Sequence, residues 1–487
     1  MTLLEEIDWL LIGELIYGLI VAATCVRIIY DTRTSTKTLA YLLLTVFLPV
    51  VGMILYFSVG LNYRTRSLYS KKLFDDDQLI KKLYAQITRV TRNNLETDHE
   101  AVQQYRELAY LLLNDNISPL TANNDVKVLR NGEETFPEIL KALRAARHHI
   151  HIEYYIFEDD TIGNAIKDVL IEKARQGVQV RFIYDDFGSR SIRRTLVPEL
   201  RAAGVEAYPF YRIIFIALAN RLNYRNHRKI IVIDGSTAFT GGINISDRYQ
   251  NPNSNKLYWR DTHLRIDGPG TYYLQYIFLC DWNFCAAQSL MPEPEFFCEP
   301  EASQTNALVQ IASSGPDSVQ PSILFSLLQA INLARNEILI TTPYFIPGDS
   351  LLDALIVAAL SGVKIKLLVP GISDSWLVNT AAQSYYEDLL RVGVEIYRYQ
   401  KGFVHAKTLV ADGLLSSIGT ANMDFRSFEL NFEVNAFLYD AQVSEYLRNI
   451  FYEDIQYAER IDPGQWLQRP AWKKMLEKVA RMISPLL

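Results

Sequence analysis

HRKIIVIDG, residues 227–235, and HAKTLVADG, residues 405–413, are two copies of one pattern. Each reads His-x-Lys with an Asp five positions after the Lys. Each is followed by an Asn ten positions beyond that Asp, Asn244 in the first copy and Asn422 in the second. Chance does not produce that coincidence of spacings, so the chain carries a duplicated site. The duplication extends upstream, as a genuine repeat should. ARHHIHIEYYIF, EKARQGVQVRFIYDD and ELRAAGVEAYPF precede the first copy, and ARNEILITTPYF, VAALSGVKIKLLVP and DLLRVGVEIYRY precede the second in the same order. Helical stretches that end in Gly and run into β-branched and aromatic residues read as βα units with buried strands. The expected fold is α/β, with two duplicated halves of about 180 residues each, a size that suits one domain apiece.

The spacing has a chemical meaning. Residues two apart on a strand share a face, which sets His227 beside Lys229 and His405 beside Lys407. Asp234 and Asp412 have the opposite parity and each precedes a Gly, so both are expected to shape a turn. A hairpin there brings Asn244 back towards His227 and Asn422 towards His405. Each half then offers an imidazole, an ammonium and an amide at one spot. A neutral imidazole attacks phosphorus, Lys holds the non-bridging oxygens and Asn donates to them. One half lacks the acid and base that phosphoryl transfer needs, and the second His supplies both in turn. The halves are therefore expected to face each other across one cleft. Two lysines neutralise the phosphate, and no H-E-x-x-H, C-x-x-C or clustered-carboxylate pattern supplies ligands, so neither a metal nor another cofactor is expected. A lone H-x-K is more often a polar strand end, and the duplication reverses that reading. His99, His148, His149, His151 and His263 lack a repeated polar setting and read as surface or satisfied buried groups. Tyr154, Tyr155 and Tyr344 read as strand-core aromatics or as hydroxyls at the cleft mouth, and Asp374-Ser375 as either a turn or a loop beside the site.

These residues resemble the phospholipase D superfamily, whose signature is a paired H-x-K-x4-D, each followed by a G-x-x-N-like turn. Here those turns are GGIN at 241–244 and GTAN at 419–422. Within it, NYRNHRKIIVIDG, YWRDTHLRIDGPG, FVHAKTLVADG and GTANMDFRSFELNFEVN are similar to the bacterial cardiolipin synthases, and the likeness covers nearly the whole chain. The resemblance implies two phospholipase D-like halves with His227, Lys229, Asp234, His405, Lys407 and Asp412 as catalytic residues and Asn244 and Asn422 as substrate-binding ones. It also implies a covalent phosphohistidine on one His, with the other as acid and base. His227 is assigned as nucleophile and His405 as acid and base, although the spacing does not distinguish them. Each His also wants a carboxylate to set its tautomer and stabilise its cation. Glu433, in NFEVNAF, stands where related enzymes place one. The first half has no Glu at that spacing, and Asp261 reads as its replacement. The implied activity is transfer of a phosphatidyl group from one phosphatidylglycerol to another, giving cardiolipin and glycerol. A hydrolytic phospholipase D would use the same residues, and phosphatidylethanolamine is an alternative donor.

The N-terminus narrows the substrate class. Leu10 to Val26 and Leu39 to Val59 are two nearly uninterrupted apolar runs, the second long enough to span a bilayer and the first only just so with its flanks. Together they read as a transmembrane hairpin, with Glu14 near enough to the start to reach the interface. The first run lacks a basic n-region and a second run follows it, unlike a secretory signal peptide. Arg64, Arg66, Lys71 and Lys72 after the second run outweigh Arg33 and Lys37 between the runs, which predicts a multi-pass protein of the cell membrane with a cytoplasmic catalytic body. The expected division is a hairpin anchor at 1–62, a helical linker at 63–124, two halves at 125–300 and 301–460, and a C-terminal amphipathic helix at 461–487. In that last segment Trp472, Met475, Leu476, Val479, Met482 and Ile483 alternate with Lys473, Lys474, Lys478 and Arg481, which suits a helix lying in a membrane interface or packing on the body. RIIFIALANRL, 212–222, is a further apolar insertion. The net charge of −6 and the lack of a basic, aromatic-laced tract argue against nucleic acid as partner. Phospholipids and the bilayer are the expected partners, and an oligomer is compatible with the chain. Cys25, Cys280, Cys285 and Cys298 have no zinc spacing and indicate no disulfide framework.

Overall fold

The computed structural model describes residues 9–32, 35–57, 77–211, 224–251, 257–286, 290–297 and 305–483. Val59, the basic residues from Arg64 to Lys72, the 212–222 insertion and Cys298 lie outside them. The chain divides into two compact units, Met1–Leu68 with Ile213–Tyr224, and Tyr69–Arg212 with Arg225–Leu487.

In the first unit, α1 (Trp9–Asp31) is a continuous apolar helix with Leu10, Leu15, Leu19, Val26 and Ile29 exposed. Among the described residues it alone is long and apolar enough to cross a membrane. This corrects the expectation that the second run would be the better span. That run divides into α2 (Ser35–Phe47) and α3 (Pro49–Leu55), because Pro49 has no N–H and its ring opposes the carbonyl one turn back. The two pieces fold tightly together. A Cβ on Gly52 would lie 2.4 Å from the backbone nitrogen of Thr45.

In the second unit the repeat becomes symmetry. Among the described residues, 16 strands form one mixed sheet whose order is nearly the same read outward from its middle in either direction. Strands Thr121–Arg130 and Ala307–Ser314 pair antiparallel at the centre. Outward from the first come Thr262–Asp267, Thr237–Gly241, Lys229–Ile233, His149–Tyr154, Gln179–Tyr184 and Glu206–Pro209. Outward from the second come Asn431–Tyr439, Leu415–Gly419, Thr408–Ala411, Glu337–Thr341, Lys364–Pro370 and Glu395–Tyr399. Alternate residues serve different cores, as a strand's period of two requires. Ile231 and Ile233 pack with helices Asn131–Ala145 and Thr161–Arg175, whereas Ile230 and Val232 enter a core shared by both halves with Val410, Ile418 and Val434.

The described part of the expected linker packs into the body. Leu95, Val102, Tyr105, Leu108 and Leu112 are buried in the core of the second half, against Leu308, Ile331 and Ile340. Burying their apolar face is more favourable than leaving it in solvent. The central strand also begins at Thr121, inside the segment assigned to that linker.

Candidate active site

Each H-x-K motif sits where the chain changes ladders. The sequence predicts one strand through HRKIIVID, but the strand starts only at Lys229, and in the second copy at Thr408. The residues just before belong to the other half. Arg225–Asn226 pair parallel with Asn431–Phe432, and Gly402–Val404 pair parallel with Tyr258–Arg260. The His227 N–H donates to the carbonyl of Phe432 at 3.0 Å, and the His405 N–H to that of Arg260 at 2.7 Å.

The residue after each of those carbonyls is a carboxylate. Glu433 Oε2 lies 2.9 Å from His227 Nδ1, and Asp261 Oδ2 lies 2.6 Å from His405 Nδ1. The carboxylates are thus exchanged between halves, and each imidazole is gripped by backbone and side chain of the opposite half. Strand register explains the irregular spacing of Asp261. Gly241 pairs with His263 and Gly419 with Asn435, so Asp261 and Glu433 both stand two residues before the partner of the same motif glycine. The loop after Asn244 is merely longer. Side-chain length is compensated as well. Thr420 donates its hydroxyl to Glu433, whereas its counterpart Gly242 leaves room for the shorter Asp261, whose Oδ1 a Cβ would meet at 2.0 Å.

Lys229 and Lys407 are buried, and each Nζ donates to the carbonyl of its own motif His, at 2.9 Å in the first copy. Aromatic rings line the histidines: Tyr155 is centred 4.8 Å from His227, and Trp259 and Tyr249 lie 5.6 and 5.9 Å from His405. Tyr155 therefore faces the site, while Tyr154 is core. Asn244 donates to the Tyr249 hydroxyl at 2.8 Å. Asn422 is buried with its Oδ1 unpartnered.

Asp234 and Asp412 are elsewhere. Asp234-Gly235 have φ of 51° and 65°, and Asp412-Gly413 have 56° and 67°, the left-handed pair of a type I′ hairpin turn. Asp234 accepts from the N–H groups of Arg147, His148 and His149 at 2.8–3.0 Å. Asp412 accepts from those of Arg335, Asn336 and Glu337 at 2.7–2.9 Å. Each ties its hairpin to the start of the second strand of its half, His149–Tyr154 or Glu337–Thr341, and neither meets the motif His.

Two models of known families match. One, described as cardiolipin synthase, PLD-like domain, matches residues 139–263 and 327–455, more than half of the chain, and the other, phospholipase D-nuclease N-terminal, matches 19–60. The chain belongs to the PLD-like cardiolipin synthase family. A cardiolipin synthase of Alkalihalophilus pseudofirmus is 40% identical over 97% of this chain and 93% of its own length. The major cardiolipin synthase of Bacillus subtilis (strain 168) is 39% identical over 97% and 98%. A crystal structure of phosphatidylserine synthase from Haemophilus influenzae shares the fold, with TM-score 0.59 at 13% identity, covering 78% of this chain and all of that one.

In this member of the PLD-like cardiolipin synthase family the centre is buried and its titrations are displaced. Burial brings His227 down to about 4, Glu433 opposing and Lys229 reinforcing the change. Burial and Lys407 bring His405 down to about 3 against the pull of Asp261. Burial also lowers Lys229 to about 7 and Lys407 to about 8. Burial would raise Asp261 and Glu433, but the facing histidines and lysines outweigh it and hold both carboxyls below their usual range. The site therefore holds neutral imidazoles whose Nδ1–H faces an ionised carboxylate, leaving Nε2 as the nucleophilic or basic nitrogen. Each lysine also opposes protonation of the other half's His, so the four groups share one field.

Sequence reasoning passes over Arg228 and gives Asp374, Ser375 and His263 only general readings. Arg228, the middle residue of the first motif, is buried in an ion pair with Asp281 and reaches the Glu433 carbonyl at 3.4 Å. Its counterpart is Ala406, so the repeat itself draws attention away from it. Asp374 accepts from the Tyr344 hydroxyl at 2.6 Å, and Ser375 caps the next helix. His263 is buried with both ring nitrogens unpartnered, contrary to the expectation of a satisfied core histidine. Its site opposite the motif glycine is shaped by the sheet, which a local pattern does not report. Cys25, Cys280 and Cys285 are free thiols.

Proposed function

We propose that the protein is a cardiolipin synthase that moves a phosphatidyl group from one phosphatidylglycerol to the glycerol headgroup of another. The observation that carries this reading is the exchanged pair of His–carboxylate contacts on two repeated H-x-K motifs. In the first step His227 Nε2 attacks phosphorus, the bond to the headgroup glycerol oxygen breaks, and His405 protonates that oxygen. The phosphatidyl group rests on His227 as a phosphohistidine whose positive charge faces Glu433. In the second step His405 takes the proton from a hydroxyl of the acceptor lipid, whose oxygen displaces His227 from phosphorus, giving cardiolipin. Lys229, Lys407 and Asn422 hold the non-bridging oxygens. The lipid's negative charge offsets the two lysines, which lets His405 enter the first step protonated.

Leaving and attacking groups are both primary alcohols, so the exchange is close to thermoneutral. Water must be excluded while the covalent species lasts, and the apolar walls of Trp259, Tyr155 and Tyr249 serve that end. Both lipids reach the site from a bilayer, in which α1 spans and α2–α3 complete a helical hairpin, with the catalytic body on the cytoplasmic side. Asp234 and Asp412 act as scaffold for the motif hairpins. The decisive experiment reconstitutes the protein with headgroup-labelled phosphatidylglycerol and no added metal. Cardiolipin and free labelled glycerol are expected. Phosphatidic acid alone would make the protein a hydrolase, and full activity in His227→Ala or His405→Ala would end the proposal.

A further inference from the structure

A helix packed on a soluble body ordinarily turns its apolar stripe inward. Helix Ala471–Ile483 does the reverse. Its residues buried against the body are Glu477 and Ala480. Glu477 takes both prongs of Arg469 at 2.6 and 2.9 Å, Lys474 reaches Glu387 at 3.3 Å, and Arg481 reaches Asp388 at 3.4 Å while lying over the Tyr385 ring. Glu387, Asp388 and Tyr385 belong to helix Trp376–Arg391. The polar face is thus the docked one. At 3.6 residues per turn, Trp472, Met475, Leu476, Val479 and Met482 form a single stripe on the opposite face, and they are 64, 64, 40, 47 and 82% exposed.

The position of this stripe is set by the fold. Arg481 also approaches Asp349 at 3.8 Å, at the start of helix Gly348–Leu360. That helix follows strand Phe345–Ile346, which pairs with Met423–Asp424, next to Asn422. The end of the C-terminal helix that carries Met482 therefore lies at the cleft end of the second half. Exposed large apolar side chains recur after two corresponding strands, Phe187 after Gln179–Tyr184, and Ile372 with Trp376, the first residue of the next helix, after Lys364–Pro370.

We propose that the outward stripe of Ala471–Ile483 is an interfacial anchor that lies at the headgroup–acyl boundary of an anionic bilayer and turns the cleft end of the body towards the lipid. Lys473 and Lys478 flank the stripe on either side, which complements anionic headgroups. Two copies packed stripe to stripe would instead bring these lysines together. Trp472, at the start of the stripe, is a side chain favoured at membrane–water boundaries. The ion pairs on the inner face hold the helix to the body, so its insertion depth sets the height of the cleft above the lipid.

The test uses the full-length protein in vesicles of phosphatidylglycerol and phosphatidylethanolamine with brominated acyl chains. Trp472→Phe should remove part of the tryptophan quenching, because Trp472 is then among the residues in contact with lipid. Met475→Glu with Val479→Glu should lower turnover of vesicle phosphatidylglycerol at least about fivefold and leave turnover of dispersed short-chain phosphatidylglycerol unchanged. Quenching unaltered by Trp472→Phe overturns the proposal, as does an equal loss on short-chain lipid while quenching is also unaltered. A dimer in detergent that becomes monomeric in the double variant, with no Trp472 quenching, would assign the stripe to a second copy of the chain and overturn it too.

Discussion

Glu433→Gln tests the exchange of carboxylates between halves. Glu433 accepts from three donors, His227 Nδ1 at 2.9 Å, Asn431 Nδ2 at 3.1 Å and the Thr420 hydroxyl. An amide keeps the shape and loses the charge. A full cation on His227 would then stand about 4 Å from a dipole instead of an anion, a loss of roughly 4 kcal/mol at an effective dielectric of about 20. The amide also turns an NH2 towards a donor, which costs about 1–3 kcal/mol more and is borne by the ground state as well. Taking the charge effect alone, formation of the phosphohistidine should slow by about a thousandfold. Single-turnover transfer from labelled phosphatidylglycerol, with acid-quenched trapping of the phosphoenzyme, reads that rate. Selective ¹⁵N-histidine spectra assign it to a ring: Glu433→Gln should move the His227 resonances and Asp261→Asn those of His405. If Glu433→Gln moved His405 instead, or slowed transfer by less than about tenfold, the exchanged pairing and the reasoning from it would be refuted.

Gly242→Ala puts a methyl about where Asp261 Oδ1 lies, so it should mimic Asp261→Asn in the single-turnover assay, and activity near that of the wild type would contradict the packing described. Asp234→Ala leaves three N–H groups of Arg147, His148 and His149 without their acceptor. It should cost about 2–4 kcal/mol of stability, seen as a lower thermal midpoint, with a smaller loss of turnover than Lys229→Ala causes. Lys229 and Lys407, held down to about 7 and 8, should make kcat/KM for the donor fall as pH rises through that range, and a flat profile to well above it would count against their role as phosphate ligands. Stability should move the other way at acid pH. Both histidines are held below the unfolded value of about 6.5, so between that value and about 4 the unfolded chain binds protons that the folded one refuses, and stability should decline as pH falls through this window. Chemical denaturation at a series of pH values measures it.

The duplicated motif was legible because the repeat compares the chain with itself: His227 and Lys229 against His405 and Lys407. The turn role of Asp234 and Asp412 followed from parity and the adjacent glycines, both local properties. The division of the second apolar run is equally written in the chain, at Pro49, but hydropathy averages across a single imino acid and does not report it. The packing of residues 95–112 is hidden for a different reason. Leu95 to Leu112 look amphipathic either way, and only the presence of a receiving surface, near Leu308 and Ile340, makes them core.

By itself the sequence determined the repeated α/β halves, the apolar N-terminus and the paired His and Lys of the motifs, since periodicity, spacing and side-chain chemistry are properties of neighbours along the chain. Which carboxylate serves which imidazole was decided by the tertiary structure. Asn226 pairs beside Phe432 and Val404 beside Arg260, contacts between segments about 200 and 140 residues apart, and no local pattern encodes them. The same holds for the burial that displaces the histidines and lysines, because desolvation depends on what covers a group rather than on what precedes it. It holds, too, for the outward stripe of the C-terminal helix, whose amphipathic pattern was visible but whose docked face only the ion pairs with Arg469, Glu387 and Asp388 could select.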